Sequence, residues 1–391
     1  MYITYKNTKK LKTSAASRNE QIDMMFNGID LTNIHLQTAK FEQEQLVRTY
    51  TTEIKFEDLN SVENNTIVRK LIYFNNLCRQ TLIEIPEPEK EYYTFKIPKK
   101  TKGFRTIDAP NDILKTKQKE IANALVKELK LLTHDSAWAY TPGRDVIGAM
   151  KEHTNNQSRW YLKLDLKNFF GSCSPEFIHK QLSNLYPFAI LSEQNITTLT
   201  TNLIAIACKD GGLPQGTPLS PILTNLCMVE YDYKINKLIY NLKSKDKLMK
   251  QKYIYTRYAD DIIISAKNKF DYQVLIKAIK KLFKNTPLVI NEDKTRFGSS
   301  AGRNWNLGVM CNKDNKMTVG YKRKRELKTT IYHYITDDNK WDLESLRWLL
   351  GQLSWLRNVE LDYFEGLIQY YNNKTRVNVW HKLIEDIKSY N

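Results

Sequence analysis

Apolar positions in NNTIVRKLIYFNNLCRQTLI (residues 64–83) recur at helical spacing, which predicts an amphipathic helix. IPEPEKE (85–91) breaks that pattern and reads as a linker. In YYTFKIPKKTKGFRTIDAP (92–110), Phe95 and Ile97 alternate with polar neighbours and lead through a KKTKG turn into FRTI, the pattern of a basic β-hairpin. Residues 111–133 return to helical periodicity, and WYLKLDLKNFF (160–170) alternates as a strand that ends in a turn. GGLPQGTPLSPILTNLCMVEYDYKINKLI (211–239) is a Gly/Pro loop entering a long helix. A hairpin around YTRYADDIIIS (255–265), a helix at 272–284 and short strands near LVI and WNLGVMCN follow, and the pattern after Val319 is mostly helical. Residues 1–90 are polar and lack strong punctuation, and are expected to be an N-terminal extension, largely helical.

Composition narrows the class. A chain of 391 residues with 41% hydrophobic and 26% charged residues is long enough for one large domain or two to three smaller ones, with a real core. A formal net charge of +17 points to a polyanionic partner, most simply nucleic acid. The Lys/Asn/Ile-rich composition can also arise from AT-rich coding, so charge supports this inference without carrying it. Cys78, Cys173, Cys208, Cys227 and Cys311 are dispersed and form no CxxC pair, and the six histidines form no ligand-spaced cluster. Zinc sites and a disulfide framework are therefore not expected. No run of 18 apolar residues exists, and MYITYKNTKKLK has no apolar signal core, so a soluble, cytoplasmic protein without membrane contact is expected.

The chemistry starts with Asp260 and Asp261, adjacent carboxylates between two β-forming runs. In a regular strand one of them would face the core, where an unpaired charge is costly. A polar turn explains the pair plainly; a turn that aims carboxylates at a divalent cation explains it more sharply. Asp165 ends a second apolar strand, so three carboxylates come from strand ends, as two-metal phosphoryl transfer requires. Lys99, Lys100, Lys102 and Arg105 on the basic hairpin suit a triphosphate, and Gln215 and Gly216 suit close approach to a nucleotide. Each of these also has a bland reading, as a solvated hairpin tip or a proline-rich helix entry.

The ordered set FKIPKKTKGFRTIDAP, LDLKNFF, LPQGTPLSP, RYADD, NEDKT and WNLG resembles the successive motifs of reverse transcriptases over roughly residues 92–310. The resemblance implies an α+β right-hand polymerase: the helical extension at 1–90, fingers and palm over 91–318, and a helical thumb over 319–391. It implies that Asp165, Asp260 and Asp261 are catalytic ligands of two Mg2+ ions, and that Lys99 and Arg105 hold the incoming dNTP. Gln215 and Gly216 would shape the nucleotide pocket, Lys294 would act near the leaving pyrophosphate, and Leu307 and Gly308 would form the primer grip. Phe170, five residues after Asp165, stands where the family carries an aromatic gate against ribonucleotides; the alternative is a core ring following Phe169. Arg323, Lys324 and Arg325 would bind the RNA–DNA duplex by its phosphates. Trp348, Trp355 and Trp380 lie at helical spacing and are expected in the thumb core.

AYTPGRDVIGAMKEH (139–153) and VGYKRKRELKTTIYHYI resemble segments of retron reverse transcriptases, although WNLG replaces their VTG motif and the Ala149-to-His153 spacing differs. A retron-like or other defence-associated bacterial enzyme is therefore expected, copying a dedicated non-coding RNA in antiphage defence, as a homo-oligomer or with an effector protein. Template-independent or protein-primed DNA synthesis would use the same carboxylates. An RNA-binding scaffold without synthesis is the reading from a different class.

Overall fold

A computed structural model of the chain describes residues 66–99, 103–131, 133–245, 251–300, 305–312, 314–336 and 341–390. Residues 1–65 of the expected extension, with Lys100 and Lys102, lie outside the described residues. Helix α1 (Thr66–Glu84) leads to the hairpin β1 (Tyr92–Pro98) and β2 (Phe104–Pro110), then to α2 (Asp112–Asn123), α3 (Val146–Asn155) and β3 (Trp160–Asp165). The single turn α4 (Phe169–Ser172) precedes α5 (Pro175–Ser183), α6 (Glu193–Ala207) and the long α7 (Ser220–Lys245). Strands β4 (Tyr253–Tyr258) and β5 (Asp261–Ala266), α8 (Tyr272–Leu282), and strands β6 (Arg296–Ser299), β7 (Trp305–Asn306), β8 (Val309–Cys311) and β9 (Met317–Thr318) come next. Helices α9 (Tyr321–Thr336), α10 (Leu343–Val359), α11 (Leu361–Thr375) and α12 (Val379–Lys388) close the described chain.

These elements form two compact units, each drawn from three separate stretches. The first takes the chain up to Pro142, Leu166–Asn241 and Leu275–Asn291. Its helices start where short polar side chains satisfy free backbone N–H groups: Asn111 caps α2, Ser174 caps α5 and Ser192 caps α6. The helix expected over 111–133 ends sooner, because a π turn at Ala124–Glu128 shifts the bonding and unwinds it. The buried Gln118 amide donates to the Ile206 carbonyl at 3.0 Å and to the Tyr92 hydroxyl at 2.8 Å, tying α2 to α6 and to the hairpin.

The second unit takes Gly143–Asp165, Leu242–Val274 and the chain from Glu292 onward. Its antiparallel sheet has the order β4-β5-β3-β6. Leu288–Ile290, expected as a strand, makes only an isolated bridge through Ile290 to Leu166, and the edge strand is Arg296–Ser299 instead. Ile263 and Tyr161 on one face of the sheet belong to the same core cluster as Ile147 and Met150 of α3 and Leu346, Leu349, Leu353 and Leu356 of α10. The last four recur at spacings of three and four, as a one-sided helix requires. Trp355 and Trp380 pack against this core as expected, but Trp348 is 51% exposed. It directly precedes Leu349, which turns inward, so Trp348 falls on the adjoining outer face.

Glu360, between α10 and α11, fastens these helices to the strands before them. One carboxylate oxygen accepts from the Thr318 hydroxyl at 2.9 Å and the Val319 N–H at 2.8 Å, and the other from Lys324 Nζ at 2.5 Å. Lys324 also lies 4.1 Å from the centre of the Tyr363 ring. Removing its charge leaves Glu360 uncompensated in a mostly buried place. Lys324→Ala should therefore lower stability by about 1–3 kcal/mol, whereas Arg325→Ala on the exposed side of α9 should stay within about 0.5 kcal/mol of the parent. Thermal unfolding of the two variants checks this, and equal midpoints would show that the Glu360 bonds do not hold the helices.

Candidate active site

In the β3–β5 register Asp165, the last residue of β3, stands opposite Asp261, the first of β5. Asp261 also pairs with Tyr258, the last residue of β4, so only Ala259 and Asp260 connect β4 to β5. A two-residue hairpin that matches strand twist needs positive φ at one or both positions. Ala259 supplies it, at 55°, where glycine would be easier by about 1 kcal/mol or more. Fully buried Arg257 donates to the Ala259 carbonyl at 3.1 Å and braces the turn. Directly opposed residues share a face, so Asp165 and Asp261 project together, and the turn presents Asp260. The polar-turn reading of the pair holds: Asp260 lies in the two-residue turn and Asp261 opens β5.

Charge is balanced only in part. Lys294, on the short turn Glu292–Lys294, donates to both oxygens of Asp165 at 3.0 and 2.9 Å. Lys163, two residues before Asp165 on the same face of β3, donates to Asp261 at 3.0 Å. Burial pushes the Asp260 carboxyl up to about 6, and the charges of Asp261 and Asp165 add to that against the pull of Lys294. Burial raises Asp261 as well, with Lys163 pulling the other way. Among the described residues no three His, Cys, Asp or Glu side chains converge as a closed ligand set, and the carboxylates instead face lysines. The donors are nonetheless all hard carboxylate oxygens with a deficit of positive charge, which fits a divalent cation such as Mg2+.

The first unit holds a second group. Phe169 is buried, but Phe170 is only half-buried, with its ring edge-on to Tyr140 at 6.3 Å. The Phe170 carbonyl accepts from the Leu213 N–H at 3.3 Å, which seats α4 against the loop carrying Gln215 and Gly216. A Cβ on Gly216 (φ 113°) would come within 2.8 Å of the Ile107 side chain, so only glycine lets this loop lie on β2. The Asp108 N–H donates to the Gln215 carbonyl at 2.8 Å, and Lys209 ties Asp108 to Thr94. Phe170, Gln215, Gly216 and the hairpin thus form one connected body, on which Lys99 and Arg105 are exposed.

Leu307 and Gly308 make the two-residue turn between β7 and β8, both with positive φ (53° and 81°). The three basic residues at the start of α9 divide: Arg323 donates to Gln352 at 3.0 Å, Lys324 is held by Glu360, and Arg325 is exposed. Sequence reasoning missed Lys163, Arg257 and the Lys209–Asp108 pair. Lys163 alone carried a signal, since residues two apart on a strand share a face.

A family profile described as reverse transcriptase (RNA-dependent DNA polymerase) matches residues 97–334, more than half of the chain. The chain belongs to that family, and the expected α+β right-hand polymerase class and RNA-directed DNA polymerase activity go with it. Within the family it is of the retron type. It is 28% identical to the retron Ec83 reverse transcriptase of Escherichia coli, over 78% of this chain and 91% of that one. It is 30% identical to the Escherichia coli retron Ec73 reverse transcriptase, over 56% of this chain and 66% of that one. Among solved structures it resembles apo telomerase from Candida tropicalis, with a TM-score of 0.42 and 13% identity over 77% of this chain and 62% of that chain. No helix among the described residues is long and apolar enough to cross a membrane.

A carboxyl that titrates near 3.8 in its ordinary state and about 6 in the fold costs stability as pH rises through that interval. In metal-chelated buffer Asp260→Asn should therefore unfold at a higher temperature than the parent at pH 8, by about 1–3 kcal/mol, and converge with it near pH 4. A less stable variant at pH 8 would contradict a charge penalty at this position.

Proposed function

We propose that the chain copies a dedicated RNA into DNA by two-metal phosphoryl transfer, with Asp165, Asp260 and Asp261 as ligands of two Mg2+ ions. The observation that carries this reading is the register that sets Asp165 opposite Asp261, with Asp260 in the adjoining two-residue turn. Bound ions would acidify a primer 3′-hydroxyl and neutralise the departing pyrophosphate. The protein positions and orients. Lys163 and Lys294 hold the carboxylates until cations compete for them, and Lys294 is then free to meet pyrophosphate. Arg105 and Lys99 take the triphosphate of a dNTP, Gln215 and Gly216 bound its base and sugar, and Phe170 lies under the deoxyribose. Leu307 and Gly308 steady the primer end.

In domain terms we assign fingers and palm to 91–318, the thumb to 319–391 and an extension to 1–90. Arg325 is the best placed of the three basic residues for the RNA–DNA duplex, because Arg323 and Lys324 are engaged within the thumb. Kinship with retron reverse transcriptases supports a non-coding RNA as both template and source of the primer. Work in the cytoplasm, a part in antiphage defence, and assembly with an effector protein or a second copy are extensions of that kinship alone. Template-independent or protein-primed synthesis would use the same carboxylates. A scaffold without synthesis would gain nothing from concentrating negative charge where RNA approaches.

Asp260→Ala with Asp261→Ala should abolish Mg2+-dependent dNTP incorporation while RNA binding, which basic surface supplies, persists. Synthesis near the parent rate in that variant contradicts the mechanism. Phe170→Ala should stay folded and raise ribonucleotide relative to deoxyribonucleotide incorporation, because a half-buried ring leaves little core to lose and the discrimination is steric. A folded variant with unchanged sugar choice shows that Phe170 is not the gate.

A further inference from the structure

His153 takes no part in the chemistry above, yet it is among the most enclosed groups in the second unit. It stands at the end of α3, fully buried, beside two more buried polar side chains, Ser265 and Thr256. Its Nδ1 lies 2.6 Å from Ser265 Oγ and its Nε2 2.8 Å from Thr256 Oγ1. Thr256 is on β4 and Ser265 on β5, and the register pairs Thr256 with Ile263 and Ile254 with Ser265. One imidazole therefore bridges both strands of the carboxylate hairpin diagonally. Thr256 precedes Asp260 by four residues and Ser265 follows Asp261 by four, so the two grips are evenly placed about the acidic pair.

The surroundings say why a polar clamp is needed. On the same face Ile263 and Tyr161 pack with Met150 and Ile147 in one apolar cluster, and Lys163, opposite Ile263, is engaged with Asp261. Ile262, Ile263 and Ile264 are all fully buried, so a slip along β5 would exchange isoleucine for isoleucine and lose little burial. Side-chain hydrogen bonds discriminate where apolar packing does not. A neutral imidazole donates from one nitrogen and accepts at the other, and so fits two hydroxyls at once; burial holds it neutral, with its pKa pushed down to about 3.

We propose that His153 is a positioning residue that locks the β4–β5 register and thereby sets the reach of Asp260 and Asp261. The proposal rests on the carboxylate reading above, and Asp260→Ala with Asp261→Ala tests that reading separately. Thr256→Val, Ser265→Ala, His153→Leu and His153→Gln would be compared, with the first two chosen because they barely change volume and keep the ring. For Thr256→Val and Ser265→Ala the expected result is a loss of kcat of tenfold or more, with the dNTP KM and RNA affinity within about twofold. Amide hydrogen exchange across 253–266 in chelated buffer should be faster in both. The losses should not add to that of His153→Leu, and His153→Gln, which can still bridge two hydroxyls, should recover part of kcat. Parent kcat and exchange in the two hydroxyl variants overturn the proposal. So does a parallel fall of kcat, RNA affinity and melting temperature with no recovery by glutamine. Either result, alongside an inactive Asp260/Asp261 variant, refutes the clamp and leaves the active-site reading standing.

Discussion

Like charges crowded at one end of a sheet set the terms for the second unit. Asp165 stands opposite Asp261 in the strand register and Asp260 lies in the adjoining two-residue turn, in a setting that keeps Asp165 almost wholly buried. Burial first, and then the charges of Asp261 and Asp165, push the Asp260 carboxyl up to about 6. The surrounding residues oppose that tendency. Lys294 and Lys163 supply countercharge, Arg257 holds the turn carbonyl, and Ala259 accepts a backbone conformation better suited to glycine. An arrangement short of positive charge is one that a divalent cation would stabilise.

The two units divide the work by physical character. In the first, contacts are close and backbone-led: Gly216 lies on β2, α4 is seated on the loop after Gly212, and the hairpin is tied through Asp108. These contacts fix the loop carrying Gln215 and Gly216 against the hairpin. In the second, an apolar core of leucines and isoleucines supports the sheet, and the polar groups within it, His153 and Glu360, each bridge two or more elements. Buried polar bridges of this kind add positional definition that burial alone does not give.

Much of this was legible in the chain. Alternation in WYLKLDLKNFF and YTRYADDIIIS located β3, β4 and β5, and the order of motifs identified the family. What escaped depended on partners distant in sequence. Lys163 looked like an ordinary polar strand residue until register placed it across from Ile263, in reach of Asp261. RKR at the start of α9 read as one basic run, whereas the fold gives Lys324 to Glu360, 36 residues later, and leaves Arg325 to solvent. The 288–290 run had the β-forming composition of a strand but not its neighbours, and Trp348 shared helical spacing with core residues while falling on the outer face. Periodicity tells that a face exists; it does not tell which partner covers it.

In the proposed mechanism the carboxylate hairpin binds divalent cations at a charge-deficient turn. Counting Mn2+ bound to the isolated protein, by electron paramagnetic resonance of free ion against rising total ion, tests this without any nucleic acid or synthesis. Saturable binding that weakens as pH falls through about 6 and disappears in Asp260→Asn with Asp261→Asn is the result this account predicts. Binding that is unchanged in that variant would contradict it.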